Sequence, residues 1–334
     1  MFNSFKLLFY ISLMTGTLIT ISSYSWLGMW MGLEINLLSI IPLFSNSKNM
    51  MNNEASLKYF ITQTLASTMF LFSIIMISSN TFELWENKFN LMLNSSLLTK
   101  MGAAPFHFWF PEVMEGINWM NCLLLLTWQK IAPFILIMNN KMNLFLSIII
   151  LFSMLTSGLM GINQTSIRKI LAYSSINHIG WMLSSMMFMN SIWSIYFIVY
   201  TIISMNIIII LNKFNIYYLS QLFMNMNNNP KMKMFFMMNF LSLGGLPPFM
   251  GFMPKWLTIQ NLIENKMFIL TMIMVLMTLM TLYFYMRITF TTLMINMNEI
   301  NFYQKNMNNY WFTMIFNFFS ITGLMFLTII FNVY

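Results

Sequence analysis

Charge is what this chain has least of. Only 7% of its 334 residues are charged, against 58% hydrophobic, whereas a soluble domain carries roughly 25% charged residues. The mean hydropathy of +0.70 points the same way, to a chain whose solvent is largely lipid. Aspartate is absent, so all eight acidic residues are Glu. A single cysteine, Cys122, excludes an internal disulfide framework and any all-cysteine metal or iron–sulfur centre. Two histidines, His107 and His178, are too few for a typical zinc site, so no metal is expected. No basic n-region with a small-residue cleavage site precedes the first apolar segment; insertion is expected to use the mature helices. Gly244-Gly245 lead into Leu246-Pro247-Pro248 rather than opening a helix after a strand. No phosphate cradle, and so no nicotinamide or flavin site, is expected in this chain.

What is present is apolar sequence in long runs. A helix needs about 20 apolar residues to cross a bilayer, and on that ruler the chain divides into about eleven segments: 7–22, 25–44, 57–79, 91–110, 118–139, 143–161, 170–188, 191–212, 234–253, 267–293 and 310–331. The piece 254–263 reads as a second half of the ninth. The stretch 213–233, rich in Asn and ending near Pro230, reads as a polar connector. The expected fold is an all-α polytopic membrane protein in one transmembrane domain.

The net charge of +8 sits in short loops, which favours topogenic charge over a nucleic-acid partner. Lys6, Lys48, Lys58, Arg168, Lys169, Lys213, Lys231, Lys233 and Lys305 fall on the amino-terminal side of these crossings; Lys88, Lys141 and Lys266 fall on the other. The positive-inside rule places the N terminus in the cytoplasm-equivalent compartment.

One segment combines features that a membrane helix ordinarily avoids. Leu97–Glu112 carries Lys100 near its middle, followed by Gly102 and Pro105. A charge at the centre of a membrane helix costs at least ~2.5–3.5 kcal/mol, and a proline in an ordinary helix interior ~3 kcal/mol. The pattern recurs. Gly102, Pro105, Phe106 and Pro111 align with Gly245, Pro248, Phe249 and Pro254 at a constant offset and without a gap. The two copies fall in the fourth and ninth segments, an odd interval, so the second runs in the reverse direction. This predicts an inverted repeat of five-helix units, 1–139 and 143–293, each with one discontinuous helix, followed by an extra helix at 310–331. Discontinuous helices in inverted repeats mark ion and substrate paths, and a broken backbone at membrane depth must be buried in protein or face water.

Four charges lie inside or beside these apolar segments: Glu34, Lys100, Lys130 and Lys255. Burial disfavours an ammonium and a nearby carboxylate restores it, so moving one partner changes a lysine's hold on its proton. Arginine stays protonated throughout. One acid cannot neutralise three lysines as pairs, which favours proton transfer over a static ion pair of Glu34 with Lys100 or Lys130. His178 suits a relay by its ordinary pKa near ~6.5, although a hydrogen-bonded core role fits equally. His107, flanked by Phe106 and Phe108 on the first break, reads as structural. Arg287 lies near a segment end and reads as snorkelling.

A family resemblance rests on six blocks: Trp26–Asn36 (WLGMWMGLEIN), Glu54–Phe60 (EASLKYF), Gly102–Trp109 (GAAPFHFW), Thr127–Lys130 (TWQK), Asn163–Ser175 (NQTSIRKILAYSS) and Gly244–Phe249 (GGLPPF). Together they resemble the NADH dehydrogenase subunit 2 family, the mitochondrially encoded, antiporter-like membrane subunits of respiratory complex I. The resemblance implies a proton-translocating subunit with no redox group of its own, the NADH, FMN, iron–sulfur clusters and ubiquinone being used elsewhere in the complex. It implies partners among the other membrane-arm subunits and a site in the mitochondrial inner membrane, with the N terminus in the matrix. By the same resemblance Glu34 is the key glutamate, Lys100 its partner lysine, Lys130 the central lysine and Lys255 the terminal one. Bacterial members resemble a longer design of about fourteen helices. The eleven read here resemble the animal short form, in which neighbouring subunits would cover the first repeat. The Met-, Phe- and Asn-rich composition with so little Ala resembles an AT-rich mitochondrial genome. Two other functions fit the residues: a stand-alone cation/proton antiporter and a passive assembly scaffold.

Overall fold

The computed structural model describes residues 4–45, 49–79, 86–226 and 230–294, together with 318 and 323. Among the described residues the architecture is all-helical, and seven helices are long and apolar enough to cross a membrane. The last expected segment, 310–331, lies outside the described residues apart from two positions. The chain forms two compact units, Met1–Ile149 and Ile150–Tyr334.

In the first unit, α1 (Ser4–Ser22) and α2 (Trp26–Phe44) form an antiparallel pair. The Ser25 hydroxyl accepts from the Gly28 amide and caps α2, removing one of the unpaired amides at a helix start. The two helices meet where neither has a side chain. A Cβ on Gly32 would stand 2.8 Å from the Gly16 carbonyl oxygen and 2.5 Å from Thr20 Cγ2. Without a hydrophobic drive between helices in lipid, close backbone approach is what holds such a pair. α3 (Met50–Ser78) packs on α2, on α4 (Glu86–Met101) and on α5 (Trp109–Gly116). Gly116 lets α5 settle against Ala55 and the Met51 carbonyl. The span expected at 118–139 is present as Trp119–Asn139, interrupted at Thr127 into α6 (Trp119–Leu126) and α7 (Trp128–Asn139). The Thr127 hydroxyl bonds back to the Leu123 carbonyl at 2.7 Å. Hydrogen bonding of that kind bends helices, so the interruption comes from Thr127 as well as from Pro133.

In the second unit, α8 (Asn143–Ile162), whose first residues belong to the first unit, leads into α9 (Ile167–Phe188), which is buried almost from end to end. A helix buried on every side lies at the centre of its bundle, whatever polar groups it carries having to be satisfied within it. The serines of α9 fit there because each hydroxyl bonds a carbonyl three residues back, as Ser174 and Ser175 do at 2.8 Å. The unit continues through α10 (Asn190–Phe214), α11 (Leu219–Met226), α12 (Pro230–Gly244), α13 (Phe252–Glu264) and α14 (Phe268–Met294); α10, α13 and α14 pack on α9, and α12 packs on α10 and α14. The short helix α11 departs from the expected polar connector. Its start is pinned by Gln221, whose side-chain oxygen accepts from the Tyr217 amide at 2.8 Å. Arg287 does not simply snorkel; its guanidinium donates to the Ile162 carbonyl at 2.7 Å and closes the end of α8.

Candidate functional site

Each unit contains a helix that stops and, after a short break, restarts. In the first unit α4 ends at Met101 and α5 begins at Trp109; in the second α12 ends at Gly244 and α13 begins at Phe252. Both ends close in the same way. Gly102 and Gly245 take φ values of 75° and 79°, a left-handed conformation open to glycine at little cost. Ala103 N–H bonds the Leu98 carbonyl at 3.1 Å and Gly102 N–H the Thr99 carbonyl at 3.2 Å. In the second unit Leu246 N–H reaches Leu241 at 3.3 Å and Gly245 N–H reaches Ser242 at 3.0 Å. This is the six-to-one, five-to-two pattern of a Schellman cap, repeated residue for residue. Phe106 to Ala103 and Phe249 to Leu246 add a third matched bond, at 2.8 and 3.0 Å. The peptide bonds before Pro105 and Pro248 are both cis.

A Schellman cap uses two carbonyls and leaves the last two of the helix open. The units fill them differently. In the second unit Lys255 Nζ donates to both, at 2.7 Å to Gly244 and 3.4 Å to Leu243, so a cation sits on the negative end of a helix dipole. Its stem lies against Gly245, where a Cβ would come within 2.7 Å of Lys255 Cδ. In the first unit a neutral group does part of the work: Gln63 Nε2 donates to the Lys100 carbonyl at 3.3 Å. The side chain of Lys100 is left for something else.

All three lysines are buried, Lys100 at 8%, Lys130 at 1% and Lys255 at 6% exposure. Each faces an aromatic ring: Lys100 lies 6.0 Å from the Phe70 centroid, Lys130 5.5 Å from Phe110 and Lys255 5.9 Å from Trp181. The negative face of a ring attracts a cation without fixing it as a carboxylate would. Among the described residues Lys100 Nζ has no hydrogen-bond partner and no ion pair. Glu34, half-buried on α2, acts on Lys100 through its field rather than by contact. A static Glu34–Lys100 pair, one of the sequence-based readings, is therefore not present.

The transmembrane family described as NADH:quinone oxidoreductase/Mrp antiporter matches residues 23–281. The chain belongs to this family. A relative from Anopheles gambiae named NADH-ubiquinone oxidoreductase chain 2 is 52% identical over 332 residues, which is 97% of either chain. A chain of respiratory complex I from Thermus thermophilus, solved with bound aureothin, matches with a TM-score of 0.87 at 22% identity. That match covers 97% of this chain and 78% of that one. A chain of the Mrp complex from Dietzia sp. matches at 0.71 and 15% identity, over 84% of this chain and 59% of that one. At these identities the structural matches establish a shared fold.

Within this antiporter-type fold the expected residues divide between the units. Glu34, Lys100, Pro105, His107 and Lys130 lie in the first; His178, Pro248 and Lys255 lie in the second. His107 is buried and stacks on Phe108, with centroids 4.5 Å apart. His178 is buried on α9, its Nδ1 2.9 Å from Tyr196 Oη and its ring 5.0 Å from Tyr200. α9 and α13 pack together, so His178 and Lys255 belong to neighbouring helices. Several polar residues went unremarked in the sequence: Asn36, Tyr59, Gln63 and Gln129. Gln129 Nε2 donates to Asn36 Oδ1 at 2.8 Å, and Tyr59 Oη donates to Gln129 Oε1 at 3.4 Å. A search for carboxamides inside apolar segments, as well as charges, would have found three of them. Glu112 and Glu115 follow the first break, and Glu112 pairs with Lys58 at 2.9 Å on an exposed surface.

Proposed function

We propose that the chain is a proton-translocating membrane subunit of respiratory complex I, without redox chemistry of its own. In this reading Glu34, Lys100, Lys130 and Lys255 form a buried axis along which protons move as electron transfer from NADH to ubiquinone proceeds elsewhere. The observation that carries it is Lys100: a buried lysine at the end of a broken helix, without ion pair or hydrogen bond among the described residues, in the field of one glutamate. A lysine so placed changes its proton affinity when the distance to its carboxylate changes. Lys130 and Lys255, buried against aromatic rings, supply further stations, and His178 with Tyr196 lies on the helix next to that of Lys255.

The matched Schellman ends support an inverted repeat with halves near 1–139 and 143–293. Family membership and the relative's name support other complex I subunits as partners, the mitochondrial inner membrane as location, and NADH, FMN, iron–sulfur clusters and ubiquinone as groups held elsewhere. The loop charges support an N terminus in the matrix. The likeness to an Mrp complex chain keeps a stand-alone cation/proton antiporter as the second reading.

The test is proton pumping by the assembled complex in sealed vesicles. A proton-transfer group contributes roughly 10²–10⁴-fold to the step it serves. Lys100→Ala, Lys130→Ala and Glu34→Gln are therefore expected to assemble and to pump at least about tenfold more slowly per complex. Normal pumping by all three rejects the assignment and leaves the scaffold reading. Co-purification with flavin and iron–sulfur subunits separates a complex I subunit from a free-standing antiporter.

A further inference from the structure

Beside Lys100 the first unit has a partly open cavity of about 20 Å³, lined by Asn36, Tyr59, Gln63, Lys100 and Gln129 among apolar neighbours. A water needs roughly 10–15 Å³ of such space and two to four polar partners, so this cavity has room for a water. The partners are there. Lys100 brings three N–H donors, and among the described residues none of them reaches an acceptor. Gln129 brings a carbonyl oxygen that keeps acceptor capacity, since the bond it accepts from Tyr59 is long at 3.4 Å. Its amide nitrogen is already committed to Asn36 at 2.8 Å, which holds the carboxamide plane in place. Gln63 is spent in part on the Lys100 carbonyl.

We propose that Gln129, fixed by Asn36 and Tyr59, is a positioning residue for the Lys100 ammonium and acts through one water held in this cavity. The water accepts from Lys100 Nζ and donates to Gln129 Oε1, and it links the lysine of α4 to α7, the helix that carries Lys130. No bond other than hydrogen bonds is made or broken in this arrangement. Its role in pumping rests on the function proposed above; the water site itself does not.

The test takes the whole assembled complex and has two arms. The first is a density map of the unsubstituted complex that resolves other buried waters. Density between Lys100 Nζ and Gln129 Oε1 is expected, and its absence overturns the proposal whatever any variant does. The second compares Gln129→Leu with Gln129→Asn, pumping being measured per assembled complex. Gln129→Leu is expected to lose the water and to lower pumping about tenfold, less than the roughly 10²–10⁴-fold of a group that itself transfers the proton. Gln129→Asn keeps both amide groups and is expected to restore most of it; a residue that only fills space would be better replaced by Leu. Unchanged pumping in Gln129→Leu, or no rescue by Gln129→Asn, overturns the positioning role. If Lys100→Ala itself pumps normally, the function proposed above fails instead.

Discussion

Lys100, Lys130 and Lys255 are the same residue type in three different settings, and the differences predict different phenotypes. Lys255 makes two hydrogen bonds to the end of α12, so its loss is structural as well as chemical. Lys255→Met is expected to leave the Gly244 carbonyl buried without a cap, at a cost of ~1–3 kcal/mol. It should show as faster thermal inactivation of the complex than in Lys100→Ala, because Lys100 Nζ caps nothing. All three lysines and Glu34 were legible in the sequence, since a charge in an apolar run stands out by its cost. Their partners were not. Gln63, Asn36 and Gln129 lie far apart in sequence from the groups they touch, and an amide in a membrane helix raises no alarm comparable to a charge.

At the helix breaks, proline and glycine gave the positions away, and the aligned pairs at Gly102 and Gly245 anticipated the matched caps. What the pattern did not disclose is that one cap is completed by a lysine and the other in part by a glutamine. Gly102→Ala and Gly245→Ala each force a side chain into left-handed backbone, at roughly 1–2 kcal/mol. Gly245→Ala is expected to be the worse of the two, because its methyl group meets the Lys255 stem at 2.7 Å. The amount of assembled complex on native gels, compared across the two variants, checks that order. A third variant probes the α1–α2 crossing. Gly32→Val is expected to push the helices apart at Gly16 and Thr20 and to reduce assembly without changing pumping per complex.

For the molecule in its membrane, the loop charges make a directional prediction. With the N terminus in the matrix, a cysteine placed at the exposed Thr165 should react with an impermeant thiol reagent only from the matrix face. One placed at the exposed Lys266 should react only from the opposite face. Native Cys122 is buried and so gives no background. Labelling of both positions from one face rejects the odd number of crossings between them. The helix boundaries were only partly legible: Thr127 interrupts an apolar run that a hydropathy ruler reads as continuous, and α11 lies in a stretch too short and polar for that ruler.

By itself the sequence determined the solvent, the helical class, the family and the four charges that cannot lie in lipid unassisted. Each follows from local chemistry: a 58% apolar composition, backbone that must satisfy itself in hydrocarbon, and the cost of a buried ammonium. Tertiary structure alone decided which carbonyls the lysines reach, which rings they face, and that Lys100 opens onto a small cavity rather than a carboxylate. Those facts depend on side chains from separate helices meeting at distances of about 3 Å, the reach of a hydrogen bond, and no spacing along a single chain encodes them.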